Sequence, residues 1–504
     1  MLQLRGPDRF CVPRGESTAP DTWSPPPRPV AVPTGGVTVR EGSLFHATMR
    51  ENISYLLRSF SADHMLYHFR KRAGHADPPG GETQVSFWDT NLEGSSAGRF
   101  LMGAGNTLRW IEDGELRGRM DAIVDGWIAK IVARDPEAIW IHGLGMPHCY
   151  EITAMEAYMD HYLATGDGRY LEAMEGAWEM IHRHWQHAGG SIAICEGHDY
   201  PPDSRFIDRK KHTGEFCGSV FWAKLGQRFH MLRPEEERYV AEIEKAIYNV
   251  ALANQAPGAG IRYHAHLEGH KARALEINTC CEGQGTRFLG SLPEYIYSIA
   301  DDGLYVNLFA ASTIEWNGIE LKQETDFPFD GEISLTIASP GARRASAASA
   351  GIRIRVPGWA AADVEFSVNG KVIATGKPGS YVTIEREWSD GDTIQFELPM
   401  ELRLTLYRGA DNFDWHIRFA IEYGPILMAV VGPPRDNIPV YLAEEPGKFP
   451  DWLEPIPGEP LHWRVRTLPE YRVVPYWELG GDQHFSCYPV LTGEEQVSRA
   501  QPKE

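Results

Sequence analysis

The stretch EFCGSVFWAKLGQRFHM, residues 215 to 231, predicts an α-helix, because its apolar residues recur at intervals of three and four. Similar segments continue on both sides of it, separated by turns rich in glycine, proline and aspartate. A series of helical hairpins without a strict repeat favours an α/α toroid over a solenoid. The predicted helices are Phe45 to Leu57, Leu116 to Ala133, Glu151 to Ala164, Tyr170 to His187, Glu215 to Met231, Glu235 to Ala253 and Gly283 to Ala300.

After Asp302 the period of the pattern changes from the helical one to two. Apolar and polar residues alternate along Ile352 to Val356, Val364 to Val368 and Tyr381 to Ile384, and each run is bounded by glycine, proline or Asn-Gly signals. Several such runs at regular spacing are typical of an antiparallel β-sandwich.

We therefore expect a multidomain α+β protein, as the length of 504 residues also suggests. The leader is rich in proline and glycine, and we expect strands of it, at Val30 to Val32 and Val37 to Val39, to join a sandwich. The final segment is expected to complete a sandwich and to end in a disordered tail. The predicted divisions are an extended leader at 1–42, a helical domain at 43–300, a β-sandwich at 301–435 and a C-terminal β segment at 436–504.

Composition excludes some classes of partner. The formal net charge of −20 comes without a basic stripe, which argues against binding to nucleic acid. No apolar run is long enough to span a membrane, and no signal peptide is evident at the N-terminus. Seven cysteines, an odd number, then predict a reducing compartment and a cytoplasmic protein. A homodimer is kept as one candidate for the oligomeric state.

Two cysteine clusters are the main functional signal. Glu215 and Cys217 form one, and the adjacent Cys280 and Cys281 form the other. Three thiolates and one carboxylate make a complete tetrahedral ligand set for zinc. Both clusters lie near predicted helix N-termini, and helices two apart in an α/α barrel are parallel. The clusters can therefore meet at one rim, although a purely structural zinc site or unrelated buried cysteines remain alternatives.

A glutamate in the preceding loop is the candidate general acid. Glu196 follows a pair of glycines in the loop before Glu215, and we expect this loop to place it at the same rim as Glu215. A carboxyl group near zinc-bound thiolate and partly desolvated has a raised pKa, which suits proton donation. The alternatives are an exposed loop glutamate, or a role for the neighbouring His198 or Asp199. The isolated cysteines are expected to be inert, and these are Cys11, Cys149, Cys195 and Cys487.

From about Phe45 to Pro489 the chain resembles the β-L-arabinofuranosidase group of glycoside hydrolases, family 127 and its relatives. The Glu-x-Cys of Glu215 and Cys217 with the downstream Cys-Cys is the specific part of this resemblance. The other motifs that carry it are Tyr55-Leu56-Leu57, Phe69 to Gly74, Glu244 to Asn249, Ser291 to Ile299, Leu304-Tyr305-Val306, Arg353 to Trp359, Pro378 to Tyr381 and Tyr423-Gly424-Pro425.

The resemblance implies an (α/α)6 barrel catalytic domain followed by β-sandwich material. It implies a retaining, zinc-dependent hydrolase that releases a terminal furanoside, β-L-arabinofuranose in the first place, from a small oligosaccharide or glycoconjugate. Cys280 is then the nucleophile, Glu196 the acid/base and Tyr263 a substrate contact. The zinc ligands it implies are Glu215, Cys217, Cys280 and Cys281.

The chain also departs from that family. Members carry Cys-Cys-Pro-Pro-Asn, whereas here Glu282, Gly283 and Gln284 follow the cysteines. Ser95 and Arg99 occupy positions where relatives place histidines, so that Trp88 or Glu93 are candidates for the sugar contacts.

The departures leave the substrate open. Two other classes of protein stay in view: a non-catalytic carbohydrate-binding or structural protein with a closed zinc site, and another α/α-barrel sugar enzyme such as an epimerase. An epimerase would need a histidine pair across its cavity, for which His148, His212 and His266 are the candidates.

Overall fold

The structure is a computed structural model of the 504-residue chain. It describes residues 29–33, 35–59, 61–72, 95–124, 166–192, 214–275, 279–338, 350–409, 417–433 and 440–491, with a few single positions between 20 and 24, between 152 and 165, and at 207.

Each described helix has an apolar face and a polar face, and the apolar faces are buried against one another. A π-helical segment, Ala246–Ala251, joins α7 to α8, so that these form one continuous helical rod. The helices are α1 Leu44–Ser59, α2 Ala62–Arg72, α3 Ser95–Leu108, α4 Gly114–Val124, α5 Gly168–His184, α6 Phe216–Leu232, α7 Arg238–Lys245, α8 Leu252–Asn254 and α9 Cys280–Leu289.

One predicted helix is wrong over its second half. The sequence pattern favoured a helix from Gly283 to Ala300, but α9 ends at Leu289 and a 3₁₀ turn, Leu292–Tyr295, follows it. The chain then forms a strand, Tyr297–Ala300. Pro293 explains the break, because proline cannot donate the backbone hydrogen bond that a continuing helix needs.

The strands carry the alternating pattern that the sequence predicts, and both short strands of the leader are present. Short 3₁₀ turns also occur at Pro446–Lys448 and Tyr476–Glu478. The strands are β1 Val30–Ala31, β2 Val37–Val39, β3 Gln255–Ala256, β4 Gly260–Arg262, β5 Glu268–Gly269, β6 Ala274–Leu275, β7 Tyr297–Ala300, β8 Gly303–Val306, β9 Ser312–Trp316, β10 Ile319–Glu324, β11 Glu332–Ala338, β12 Ala350–Val356, β13 Val364–Val368, β14 Lys371–Gly376, β15 Ser380–Arg386, β16 Thr393–Glu397, β17 Leu402–Leu406, β18 Phe419–Tyr423, β19 Ile426–Val431, β20 Tyr441–Leu442, β21 Leu453–Pro455, β22 Trp463–Val465, β23 Arg472–Pro475, β24 Phe485–Ser486 and β25 Val490–Leu491.

Three larger sheets organise these strands. A five-stranded sheet has the order β1-β7-β8-β12-β15, and a seven-stranded sheet has the order β14-β13-β16-β11-β10-β9-β2. The leader contributes an edge strand to both of these sheets, β1 to the five-stranded sheet and β2 to the seven-stranded sheet. A third sheet runs β17-β18-β19-β23-β22-β21, with β24 and β5 joined to it. Within the first sheet β12 runs parallel to β8, whereas its pairing with β15 is antiparallel.

The alternation of side chains places one face of each main strand in the core. In β12, Ile352, Ile354 and Val356 are buried and belong to the same apolar cluster as residues of α1, α6 and α9. Because one cluster contains residues of both the helices and the sandwich, the two pack directly on each other. The fold is thus multidomain α+β, as predicted. A closed (α/α)6 barrel is not shown by the described residues.

A buried ion cluster lies where the helices meet the sandwich. Arg355 of β12 is fully buried, and its guanidinium lies 2.6 Å from a Glu237 oxygen and 2.9 Å from a Glu244 oxygen. The indole nitrogen of Trp359 donates to the same Glu244 oxygen at 2.8 Å. The remaining guanidinium nitrogen donates to the carbonyl of Asn307. Every nitrogen of this buried arginine therefore has a partner, as a charge inside a protein requires.

Candidate metal centre and active site

A short antiparallel strand pair positions the first cluster. Phe216 donates its backbone N–H to the carbonyl of Tyr263, and Ala265 donates to the carbonyl of Gly214. Gly214 has a φ of +68°, and a Cβ atom there would lie 2.9 Å from the carbonyl oxygen of Ala265. A side chain at this position would thus be both strained and crowded. Glycine lets the two strands approach and sets Glu215 at the start of α6.

The second cluster begins α9, whose first residue is Cys280. Thr279 is the N-cap, and it forms a capping box with Glu282, whose carboxylate accepts from both the backbone N–H and the hydroxyl of Thr279. Burial raises the pKa of Glu282 to about 8, although the Thr279 hydrogen bonds act in the opposite direction. The sequence predicted that this helix begins at Gly283, just after the two cysteines. It begins one turn earlier, at Cys280, so that the cysteines themselves lie in its first turn.

The four predicted ligands come together. One donor atom from each of Glu215, Cys217, Cys280 and Cys281 lies within 4.8 Å of the others. The Sγ atoms of Cys217 and Cys281 are 3.3 Å apart, and Cys281 Sγ is 3.7 Å from Glu215 Oε1. The backbone N–H of Cys217 also points to Cys281 Sγ, at 3.4 Å. The prediction that both helix N-termini meet at one place is confirmed.

This arrangement fits a zinc ion. Ligand bonds of about 2.0–2.3 Å in a tetrahedron put neighbouring donor atoms about 3.5 Å apart, which agrees with the distances among Cys217, Cys281 and Glu215. A set rich in thiolates is preferred by a soft divalent ion rather than by magnesium or calcium. Among the described residues this is the one group of acidic, cysteine or histidine side chains placed to hold a metal.

The two adjacent cysteines differ in environment. Cys281 is fully buried, and burial raises the pKa of its thiol well above the usual value. Cys280 is partly exposed, and hydrogen bonds from Cys217 and Cys281 hold the pKa of its thiol well below the usual value, with smaller contributions from Tyr263 and Arg99. The more exposed of the two sulfurs is therefore the one whose thiolate form is favoured by its surroundings.

Tyr263 lies against the exposed sulfur. Its hydroxyl is 3.4 Å from Cys280 Sγ. Burial raises the pKa of the Tyr263 phenol, and the negative charges of the two cysteines add to this effect. The phenol therefore stays protonated and can donate its hydrogen to a Cys280 thiolate.

The other predicted site residues are divided between described and undescribed parts of the chain. Glu196, Trp88 and Glu93 lie outside the described residues, as do His148, His212, Cys11, Cys149 and Cys195. The backbone of Ser95 opens α3, and Arg99 follows one turn later in the same helix. His266 Nδ1 lies 3.1 Å from the carbonyl oxygen of His270. Cys487 is buried in a separate apolar cluster, as expected for an inert thiol.

Glycines of α9 pack closely against side chains of neighbouring helices. The sequence Gly283-Gln284-Gly285 beside a helix start predicts tight packing there, and this prediction is confirmed. A Cβ atom at Gly285 would clash with the ring of Phe216, and one at Gly283 would clash with the stem of Arg99.

Two family models match this chain. The model for the β-L-arabinofuranosidase GH127 catalytic domain matches residues 134–294, and the model for the GH127 middle domain matches residues 303–400. Both models describe domains of glycoside hydrolases, and together they cover more than half of the chain. The chain belongs to glycoside hydrolase family 127.

Individual relatives agree with this assignment. A non-reducing end β-L-arabinofuranosidase of Bifidobacterium longum subsp. longum is 24% identical over 270 residues, which are 48% of this chain and 39% of the relative. The match thus spans well under half the length of that relative.

Solved structures show the same fold. A GH127 β-arabinofuranosidase superposes with a TM-score of 0.70 at 17% identity, covering 94% of this chain and 99% of the other. A GH127 β-L-arabinofuranosidase from Geobacillus stearothermophilus T6 has a TM-score of 0.66 at 16% identity, covering 90% of this chain and 100% of the other.

Proposed function

We propose that this protein is a retaining, zinc-dependent glycoside hydrolase that releases β-L-arabinofuranose from the end of a small oligosaccharide or glycoconjugate. The observation that carries the proposal is the inequality of two adjacent cysteines within a four-ligand cluster. A closed structural site would need no exposed sulfur, whereas Cys280 is partly exposed and has a lowered thiol pKa.

The first step forms a covalent intermediate. The Cys280 thiolate attacks the anomeric carbon, a carbon–sulfur bond forms, and the bond to the leaving oxygen breaks. Glu196 is the residue proposed to donate the proton that the leaving oxygen takes up. In the usual retaining enzyme a second carboxylate is the nucleophile, and here a sulfur takes that place.

The second step returns the thiol. Glu196, now ionised, takes a proton from water, and the water oxygen attacks the anomeric carbon as the carbon–sulfur bond breaks. The thiolate is the leaving group of this step. Tyr263, 3.4 Å from the sulfur, is placed to stabilise the returning negative charge.

Zinc bound by Glu215, Cys217, Cys280 and Cys281 would hold the thiols in their ionised form. The chain's own contribution is orientation. The capping box fixes the first turn of α9 and with it both sulfurs, and the short strand pair fixes Glu215 and Tyr263 opposite them.

Removal of the metal should abolish activity and lower the melting temperature. Without a cation, three ionisable thiols and a carboxylate crowd within 4.8 Å, and the binding free energy that stabilises the folded state is lost. Activity and melting temperature would be measured after treatment with a chelator and again after zinc is restored. Full activity in protein shown by elemental analysis to be metal-free would contradict the proposal.

A Tyr263→Phe variant should slow the second step more than the first. The lost hydrogen bond stabilises a thiolate, so the effect is greatest where the thiolate leaves, and kcat should fall about tenfold or more. The value of kcat/KM for an activated aryl glycoside should change less, since it reports the first step. Tyr305→Phe is the matched control, because its hydroxyl donates to Glu235 rather than to the site. An equal loss in both constants would argue against this role for Tyr263.

The substrate class is tested with a panel of aryl glycosides. We expect cleavage of the β-L-arabinofuranoside, and much slower or no cleavage of the α-L-arabinofuranoside and of pyranosides. Absence of cleavage across the panel, with zinc bound, would favour a non-catalytic carbohydrate-binding protein instead.

Several finer assignments belong with this proposal. They are the (α/α)6 barrel, the domain limits at residues 42, 300 and 435, the cytoplasmic location and the roles of Trp88 and Glu93. Among the described helices none has the length and apolar character that a membrane span requires.

A further inference from the structure

Two cations share one backbone oxygen at the end of the helical rod formed by α7 and α8. Nη1 of Arg262, in β4, donates to the carbonyl oxygen of Ala253 at 3.2 Å, and Nζ of Lys271 donates to the same oxygen at 3.0 Å. Since each nitrogen is at hydrogen-bond distance from the shared oxygen, the two nitrogens lie within about 6 Å of each other. Arg262 is 7% exposed and Lys271 is 5% exposed. Two positive charges therefore lie close together where water hardly reaches them.

Backbone oxygens and an aromatic ring are the partners of this pair. Arg262 also donates to the carbonyl oxygens of Gln255 and Ala272. Nζ of Lys271 lies 3.4 Å from the centre of the Tyr476 ring. No carboxylate in the described part of the chain pairs with either cation.

Among the described residues, no group balances these two charges fully. Burial lowers the pKa of the Lys271 ammonium well below its usual value, and the charge of Arg262 adds to this effect. The thiol of Cys487 acts in the opposite direction, but burial raises its own pKa, so that it stays neutral. The C-terminus of a helix supplies only about half a negative charge. The pair therefore lacks the counter-charge that buried charges need.

Hydrogen-bond donors are also in excess at this place. Asn254 is fully buried, and neither its Nδ2 nor its Oδ1 has a hydrogen-bond partner in the described part of the chain. It stands between Ala253 and Gln255, whose carbonyl oxygens both accept from Nη1 of Arg262, so the guanidinium lies against this residue. Nη2 of Arg262 donates to none of the described residues. Because buried donors in folded proteins almost always have partners, an acceptor is missing here.

We propose that Arg262, Lys271 and Asn254 form a binding site for a small monovalent anion of the halide class, chloride in the first place. The anion supplies both the missing acceptor and the missing counter-charge, whereas a water molecule supplies the acceptor alone. The burial of all three side chains favours a single small ion over a phosphate or a carboxylate ligand. The inference goes beyond the proposed function, because the hydrolysis uses none of these residues.

The first test is the melting temperature of the zinc-loaded protein in chloride. Gluconate, a monovalent anion too large for a buried site, replaces chloride to keep the ionic strength constant. A ligand that binds the folded state raises the melting temperature as its concentration rises, and we expect a rise of about 2 °C or more between about 1 and 300 mM chloride. In Lys271→Met, which removes one of the two cations, this rise should be lost.

Lys245→Met is the matched control. Lys245 is a partly buried lysine that has a carboxylate partner, since its Nζ lies 3.3 Å from an oxygen of Glu242. The same substitution there should leave the rise with chloride unchanged. A second test needs no variant. A wild-type crystal soaked in bromide should show an anomalous difference peak in contact with the side-chain nitrogens of Arg262 and Lys271.

Four results would overturn the site. One is the absence of the bromide peak, and another is a peak without any effect of chloride in solution, which would mean binding at crystal concentration only. An equal rise in the wild type, Lys271→Met and Lys245→Met would be a general effect of salt. No rise in the wild type would mean a neutral Lys271 without a counter-ion. Whether the protein cleaves glycosides is independent of all these results, because binding is measured without turnover.

Discussion

A Cys280→Ser variant is expected to lose about a thousandfold or more of kcat/KM for an aryl β-L-arabinofuranoside, since loss of an essential nucleophile has effects of this size or larger. A serine hydroxyl at this position is not ionised near neutral pH, and it is a far weaker nucleophile than a thiolate. Glu215, Cys217 and Cys281 remain, so we expect bound metal and the folded state to be retained at least in part.

A buried cysteine elsewhere in the chain supplies the control for this loss. Cys487 is buried in a separate cluster, and Cys487→Ala should keep kcat/KM within a few-fold of the wild type. Zinc content and circular dichroism would be measured on both variants. If Cys280→Ser retained zinc, fold and most of the activity, Cys280 could not be the nucleophile.

An Arg355→Met variant should lower the free energy of unfolding by about 3–5 kcal/mol, the cost of breaking a buried ion pair by removing one partner. Without the guanidinium, Glu237 and Glu244 remain as carboxylates that are almost completely buried and that lack a counter-charge. The effect should be large because Glu237 and Glu244 belong to the helical part and Arg355 to the sandwich.

Arg353 on the same strand is the matched control. It pairs with Asp302, whose side chain is 70% exposed, and Arg353→Met should cost about 1 kcal/mol or less. Denaturant unfolding of the two variants and the wild type measures the difference. Equal losses in both variants would mean that the buried cluster does not stabilise the contact between helices and sandwich.

The main architecture could be predicted from the sequence because it follows from side-chain periodicity. The strands at Val364–Val368 and Ser380–Arg386 lie where alternation predicts them, and α6 begins within one residue of its predicted start. The meeting of Glu215, Cys217, Cys280 and Cys281 could be predicted from the position of the cysteines relative to helix starts. The argument assumes that helices two apart in the sequence run parallel, so that their starts lie at the same end.

Other features depend on contacts between distant segments, which local patterns do not encode. Alternation along β12 predicts Arg353 and Arg355 on the same outer face, yet only Arg355 is fully buried, because the helices cover that part of the sheet. The close contact between the Arg99 side chain and Gly283 joins residues far apart in the chain. The strand from Tyr297 was missed because its residues also fit a helix until Pro293 is taken into account.

The most direct test of the account is to trap the glycosyl intermediate. Glu196→Gln should react through its first step with an aryl β-L-arabinofuranoside, whose good leaving group needs no proton, and should then accumulate the intermediate because no base activates water. Peptide mass spectrometry of the acid-quenched reaction is expected to find a pentosyl group on Cys280. A pentosyl group on a carboxylate or on Cys281, or turnover with no covalent adduct, would contradict the central claim that Cys280 is the nucleophile.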